Sequence, residues 1–310
     1  MMSVGIPFTL RQLEYFEAIA AEGSLAAASE RCHISASALA LALDDLERHL
    51  GLQLTIRRKG KGVTLTPAGS HVLSLARQLL TGAETLASGA SQFSEGLSGK
   101  LTLGCFSTLA PFYVPNVLQQ FRFSHTGMEV EFVEAAAPEL HESLLQGRID
   151  SALMYQVDVS SELTFEAVQK IRPHVIVARD HPLAGRASIK LGELASEPLV
   201  ALDVQPTREN TQLLFGSLGL EPVIGHSTGS FEVARCLVAR GLGYAVMFQK
   251  PASPWTYDGH ELTFLKLTDP VPATVVGLAR PAGGPRTARH TALLEFLRTR
   301  PTDSQMVSVA

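Results

Sequence analysis

The sequence predicts a two-part molecule: a small helical N-terminal head with a hairpin, joined by one long helix to an α/β domain that fills the C-terminal two-thirds. Three observations predict it. Helix signals crowd residues 9–50 and give way to two alternating segments around a basic, Gly-bearing tip. Apolar residues at alternating three-and-four spacing run from Val72 through Leu75, Leu79, Gly82 or Ala83 and Leu86 to Phe93. From Lys100 onward, short β-type runs alternate with helical ones, the pattern of a parallel sheet covered by helices on both sides.

In order along the chain, Leu10, Leu13, Phe16, Ile19 and Ala20 share one face of a first helix. Ser24 is placed to cap a second helix over residues 25–31, and Cys32, His33 and Ile34 form a corner in which His33 is expected to pack. Ser35 or Ser37 caps a third helix that ends at Leu50-Gly51, where glycine takes the left-handed position. Ala26, Ala27 and Ala28 allow close approach. The pair is a helix-turn-helix pattern, whose second helix enters a DNA major groove, although an ordinary αα-corner in an enzyme has the same outline. Residues 52–56 and 63–66 flank Arg57-Arg58-Lys59-Gly60-Lys61-Gly62 as a wing, and Thr66 caps the long helix that Pro67 opens.

The stretches FTLRQLEYFEAIAAEGSLAAASERCHIS, LDDLERHLGLQLTIRR and VTLTPAGSHVLSLARQLL resemble the N-terminal region of LysR-type transcriptional regulators. The order of these elements is far more specific than a lone helix-turn-helix and covers about the first 80 residues, with a fainter likeness beyond. The resemblance implies a winged helix-turn-helix at 1–66, a dimerising linker helix and hinge at 67–97, and a periplasmic-binding-protein-like effector domain at 98–310. Of its two subdomains, the first takes about 98–170 and 279–300 and the second about 171–278, with crossing strands near 171–178 and 271–278. The implied partners are double-stranded operator DNA, a small-molecule effector and further copies of the chain, as dimers through the linker helix and as tetramers.

Composition agrees with that outline. The 310 residues are 45% apolar, enough for sizeable cores, and no apolar run is long enough for a membrane span. Three cysteines, Cys32, Cys105 and Cys236, are odd in number and far apart, which suits the cytoplasm. The net charge of −4 argues against nucleic acid until its distribution is considered. Between Arg48 and Ala83 lie Arg48, Arg57, Arg58, Lys59, Lys61 and Arg77, with no carboxylate. Asp44, Asp45 and Glu47 stand just before this window and are expected to point away from phosphate.

The expected DNA-facing residues are Ser24, Ser35, Ala36, Ser37, Ala40 and Leu41 with Arg57, Arg58, Lys59 and Lys61. Family members usually carry glutamine, proline, serine and arginine along the recognition helix, and residues 35–42 here are serine, alanine and leucine only. Base-edge bonds from long side chains supply about 1–3 kcal/mol of discrimination each. Without them, the wing cations and DNA shape are expected to do more.

Ligands of open α/β sheets bind beyond the carboxyl ends of strands. That rule selects Phe106, Ser107 and Thr108 after the first strand, Ala135, Ala136 and Ala137 after the second, and Leu202, Asp203, Thr207 and Arg208 in the other half. It also selects Ser227 to Phe231, including Ser230, at a helix start. Family effector sites resemble this arrangement, with a hydroxyl residue after the first strand (Ser107 or Thr108 here). A second family hydroxyl is replaced by alanine at 135–137. Arg208 would bind an organic acid, or would pair with Glu209 or Asp203; Thr207 would be an N-cap; Phe231 and Phe248 would line an apolar pocket, or pack in the core.

No P-loop, HExxH or Gly-x-Ser-x-Gly elbow is present, the ten histidines lack metal-ligand spacing, and neither cofactor, metal nor catalysis is expected. Gly241-Leu242-Gly243 is a helix stop rather than a nucleotide fingerprint. Two function classes stay open: a ligand-responsive regulator, and an enzyme or solute-binding protein with a helical N-terminal domain. A cysteine-based redox sensor through Cys105 is a third.

Overall fold

The computed structural model describes residues 6–58, 62–91, 97–204, 207–271 and 273–299. Lys59, Lys61, Phe93, residues 94–96 of the hinge expected over 94–100 and the tail from Pro301 lie outside these residues, as do the side chains of Arg58 and Arg208; residues 98–100 of that hinge are already strand.

The head is three helices and a hairpin: α1 (Leu10–Glu22), α2 (Leu25–Arg31), α3 (Ala36–Leu50), β1 (Thr55–Arg58) and β2 (Gly62–Leu65). Thr9 and Gln12 close a capping box on α1, and Ser35, not Ser37, caps α3 by accepting from Ala38 N. Ser24 occupies the cap position of α2 without a side-chain hydrogen bond. Leu13, Phe16, Ile19, Ala28, Leu39, Leu43, Leu46 and Leu54 form the core, with Leu73 and Ala76 of the next helix. Leu10 stays about half exposed, at 47%, because it precedes the turn that meets the core. His33 does not pack: it is exposed and carries the corner at φ +54°, a left-handed conformation uncommon for a non-glycine residue.

The linker helix α4 (Pro67–Ser91) starts under the Thr66 cap and passes through Gly82 and Gly89 without a break. Gly69 is required where α4 crosses the strand entry, since a Cβ there would lie 2.0 Å from the Leu54 carbonyl oxygen. The face bearing Leu73 and Ala76 is buried on the head, whereas Leu75, Leu79 and Leu86 of the three-and-four stripe are exposed. Along its flank, Ser74 Oγ donates to the Leu145 carbonyl, Arg77 Nη1 donates to the Gln146 carbonyl at 3.4 Å, and Arg289 pairs with Glu84 at 3.3 Å.

The C-terminal domain runs β3 (Ser98–Phe106), α5 (Ala110–Asn116), a π turn over Val117–Phe121, α6 (Arg122–Ser124), β4 (Gly127–Ala135), α7 (Ala137–Leu145), β5 (Ser151–Tyr155), β6 (Leu163–Ile171), β7 (His174–Ala178), β8 (Ser188–Ile189), β9 (Pro198–Leu202), α8 (Thr207–Ser217), β10 (Val223–Thr228), α9 (Phe231–Ala239), β11 (Ala245–Met247), β12 (Leu262–Leu267), β13 (Thr274–Pro281) and α10 (Ala288–Thr299). The π turn follows Pro115, which removes a donor inside α5.

The expected parallel sheet is in fact mixed. In the first subdomain the order is β4-β3-β5-β13-β6, with β3 parallel to β4 and β5 but β13 antiparallel to β5 and β6. In the second, β11-β7-β12-β8 is antiparallel except for β12 with β8, and the parallel pair β9–β10 joins it through the Leu199–Tyr244 bridge. The chain crosses out between Ile171 and His174 and returns between Leu267 and Thr274. Residues 274–278, expected in the second subdomain, therefore belong to the first: β13 is the returning strand itself, and its register with Tyr155 and Ile171 fixes it there.

Candidate functional site

Two surfaces carry the expected chemistry. On the head, Ser35, Ala36, Ser37 and Leu41 are exposed, Ala40 and Ser24 half-buried. Ser35 and Ser37 hydroxyls lie 3.0 Å apart, so both are partly engaged within the chain. Leu41, 64% exposed, is the largest apolar side chain on that face. Asp44 is not turned away from the cationic window: it forms an ion pair with Arg57 of the wing, and Asp45 pairs with Arg48. Glu47 instead serves the fold, its Oε1 accepting from Leu54 N at 2.8 Å, Thr55 N at 2.9 Å and Thr55 Oγ1 at 3.2 Å. At the wing base, Val63 N donates to the Gly23 carbonyl at 2.7 Å. Gly62 (φ +79°) is needed there, since a Cβ would meet that same oxygen at 2.4 Å.

The second surface is a cleft of about 960 Å³ between the two subdomains. The turn after β3 and helix α5 supply Ser107, Thr108, Phe112 and Asn116; the start of α9 supplies Ser230, Phe231, Glu232 and Arg235; the 251–257 loop closes the side with Trp255 and Tyr257. Phe112 and Phe231 meet edge to face across the subdomain boundary, with ring centroids 5.9 Å apart. Behind them lies a compartment of about 10 Å³ lined by Thr108, Tyr155, Leu202, Thr207, Phe231, Phe248 and Gln249. That space holds roughly one water-sized group. Thr108 Oγ1 and Tyr155 Oη lie 3.3 Å apart, and burial pushes the Tyr155 hydroxyl up to about 12. Gln249 is 4% exposed; its amide faces the Tyr155 hydroxyl and draws that hydroxyl's value down, while its buried Nε2 closes no hydrogen bond of normal geometry.

The structure thus brings Ser107, Thr108, Leu202, Thr207, Ser230, Phe231 and Phe248 to one cleft. It does not bring Ala136, Ala137 or Asp203: the alanines face the α7 start and line neither compartment, and Asp203 accepts from Ser227 Oγ at 3.1 Å. Thr207 is the first residue of α8, buried at 5% exposure, where a cap was expected. Outside the lining of both compartments, Asp158 follows β5 and feels the charge of Glu209 in α8. Burial, then the Glu209 charge, push its carboxyl up to about 7.

Glu134, Tyr155, Glu232, Arg235, Gln249, Trp255 and Tyr257 were missed. Gln249 stands two residues beyond the end of β11, so the strand-end rule, applied to that strand as well, reaches it. The sole tryptophan, in a Pro-rich loop, was a signal left unused. Cys105 is fully buried inside β3, and burial pushes its thiol up, away from the reactive thiolate. Among the described residues, no group of three or more His, Cys, Asp or Glu is placed to hold a metal ion, and no helix is long and apolar enough to cross a membrane.

Residues 10–70 match the family described as bacterial regulatory helix-turn-helix protein, lysR family, and residues 94–302 match the LysR substrate binding domain. The chain is 28% identical over 294 residues to the DNA-binding transcriptional dual regulator OxyR of Escherichia coli strain K12, covering 94% of this chain and 95% of that one. The crystal structure of HinK, a LysR family transcriptional regulator from Pseudomonas aeruginosa, is 33% identical and covers 94% of this chain and 98% of that one, with a TM-score of 0.64. Full-length OxyR from Pseudomonas aeruginosa, a cysteine-to-aspartate variant, is 24% identical with a TM-score of 0.76 over 95% of this chain and 99% of that one; at that identity it speaks for the fold alone. With a winged helix-turn-helix head, a linker helix and a two-subdomain effector domain each accounted for, the chain belongs to the LysR family of transcriptional regulators.

Proposed function

We infer that the chain works in the cytoplasm as a dimeric, ligand-responsive regulator that acts by binding rather than by catalysis. Two heads grip operator half-sites, and pairing through α4 sets their spacing; paired dimers make the tetramer. The exposed Leu75, Leu79 and Leu86 support this pairing, since an apolar stripe on a long helix gains most from a second copy. A small organic molecule entering between the subdomains changes their relative position, and with it how the heads are held.

The observation that carries this reading is Gln249. Its buried amide nitrogen closes no hydrogen bond of normal geometry and has only a loose contact with the Tyr155 hydroxyl, and it lies where two subdomains meet beside the hydroxyls of Thr108 and Thr207. A ligand oxygen seated there would satisfy it. An organic acid was expected from Arg208, whose side chain lies outside the described residues, and Arg235 of the cleft is already paired with Glu232 at 2.5 Å.

The test is a thermal-shift screen of small organic molecules on the full-length chain, read beside a gel shift with DNA from upstream of its own gene. A hit should raise the melting temperature by mass action, change the retarded species, and lose both effects in Gln249→Leu. A chain that retards no DNA, or whose hits ignore Gln249, does not work this way.

A further inference from the structure

Of the described residues lining the outer cleft, three carry formal charge: Glu134, Glu232 and Arg235. Two of these are committed to each other. Arg235, 4% exposed, gives Nη1 to Glu232 Oε2 at 2.5 Å and Nη2 to the carbonyls of Ser253 and Trp255 at 3.2 and 3.0 Å. Glu232 Oε1 accepts from Tyr257 N at 2.7 Å. This clip fastens the 253–257 loop to α9 and matches the Arg235 charge with the Glu232 carboxylate, although Arg235 Nε is buried without a hydrogen-bond partner. The amino end of α9 is likewise occupied, with Ser230 Oγ accepting from Val233 N at 3.4 Å and Glu232 offsetting the helix dipole in the first turn.

Glu134 differs. It stands near the end of β4, is exposed, and has no hydrogen bond or ion pair with another described residue. Around it the lining is aromatic and proline: Phe112, Phe231, Trp255 at 55% exposure and Tyr257 at 91%. An open carboxylate among aromatic faces is the surrounding that favours an organic ammonium ion, through charge pairing and cation–π attraction together. An organic carboxylate entering the same cleft meets the Glu134 charge and finds the charge of Arg235, the one cation among the described lining residues, already matched by Glu232. On the reading that this cleft is the effector site, we propose that its ligand is a protonated aromatic amine, with the ammonium at Glu134 and the ring on Phe112 and Phe231.

The experiment compares phenethylamine, benzyltrimethylammonium and phenylacetate, probes of similar size and opposite charge, by calorimetry and thermal shift on the full-length chain. Both cations should bind and raise the melting temperature, and phenylacetate should not. Glu134→Gln should weaken both cations at least tenfold, which is about 1.4 kcal/mol, and Glu134→Asp should keep the preference for cations. Phe231→Ala should weaken all binding in the cleft. Because Glu134 is exposed, the circular dichroism of its variants should match the parent.

Phenylacetate binding that is lost in Phe231→Ala would overturn the amine while leaving the cleft as the effector site. Amine binding indifferent to both Glu134→Gln and Phe231→Ala would place the amines elsewhere and overturn the proposal. Binding by none of the three would overturn it as well, and the Gln249 screen would then decide separately whether the cleft binds anything.

Discussion

The head and the cleft treat their polar groups in opposite ways. In the head, Glu47 accepts three donors, Thr66 caps α4, and the wing arginine Arg57 has its own carboxylate in Asp44. In the cleft, Arg235 Nε is buried without a hydrogen-bond partner and Gln249 Nε2 closes none of normal geometry, and elsewhere in the effector domain Asp158 Oδ2 is buried without one under the charge of Glu209. The head is thus a platform complete in itself, whereas the cleft keeps groups that a bound molecule or a shift of the subdomains would satisfy. A switch needs that inequality, since a ligand moves an equilibrium only by as much as it prefers one arrangement.

The comparison breaks most readily at the head core. Leu43, 1% exposed, should cost about 2–5 kcal/mol as Leu43→Ala. Calorimetry should show the head melting first, with DNA binding lost and ligand binding kept; one joint transition would deny that the two regions are separate. Next comes the wing. Replacing Arg57 and Arg58 with alanine should flatten the plot of log K against log salt by roughly 2, about 0.9 for each phosphate contact removed. Asp44→Asn, which releases Arg57, should tighten binding at low salt. An unchanged slope would mean that the wing does not lie on phosphate.

A smaller effect is expected at Asp158. Its folded value of about 7 lies above the ordinary 3.8, so the native chain holds a proton that the unfolded chain releases. Stability from this group is full below pH 4 and is lost as pH rises through 7. Asp158→Asn, neutral throughout, should therefore raise the melting temperature at pH 8 and change it little at pH 4. A gain at pH 4 instead would reverse the sign and remove the carboxylate contact. Least of all should Cys105→Ser matter: with its thiol sealed in β3, any response of DNA binding to oxidant should be unchanged, and a lost response would revive the redox reading.

Legibility also divided along this line. The head was readable because its signals are local. The Thr9 and Ser35 caps, the Gly23 and Gly51 stops and the spacing of Leu13, Phe16 and Ile19 act within one or two turns. In the C-terminal domain, the apolar runs of β3, β5, β7, β9, β11 and β13 carry the β-type signal of the alternation from Lys100, whereas β6, β8, β10 and β12 were not expected. β6 and β10, like β4, carry mostly half-buried or exposed side chains, but β4 stays legible through the alternation of Met128, Val130 and Phe132 with Glu129 and Glu131. Strand direction was misjudged because β13 returns after a whole intervening subdomain, a pairing that no local pattern records. The cleft was half legible: strand ends found Ser107 and Thr108, and aromatic character found Phe248, but Glu134, Arg235 and Trp255 meet there only through the tertiary fold.

Arg77 deserves a last consequence. Its Nη2 pairs with Glu17 of α1 at 3.3 Å while Nη1 reaches the Gln146 carbonyl, so one guanidinium touches head, linker and effector domain at once. Anyone building chimaeras by grafting a foreign reading head onto this sensor should carry residues 17 and 77 as a matched set. A graft that keeps Arg77 but brings an apolar residue to position 17 would still sense its molecule, yet the message would slip at the joint.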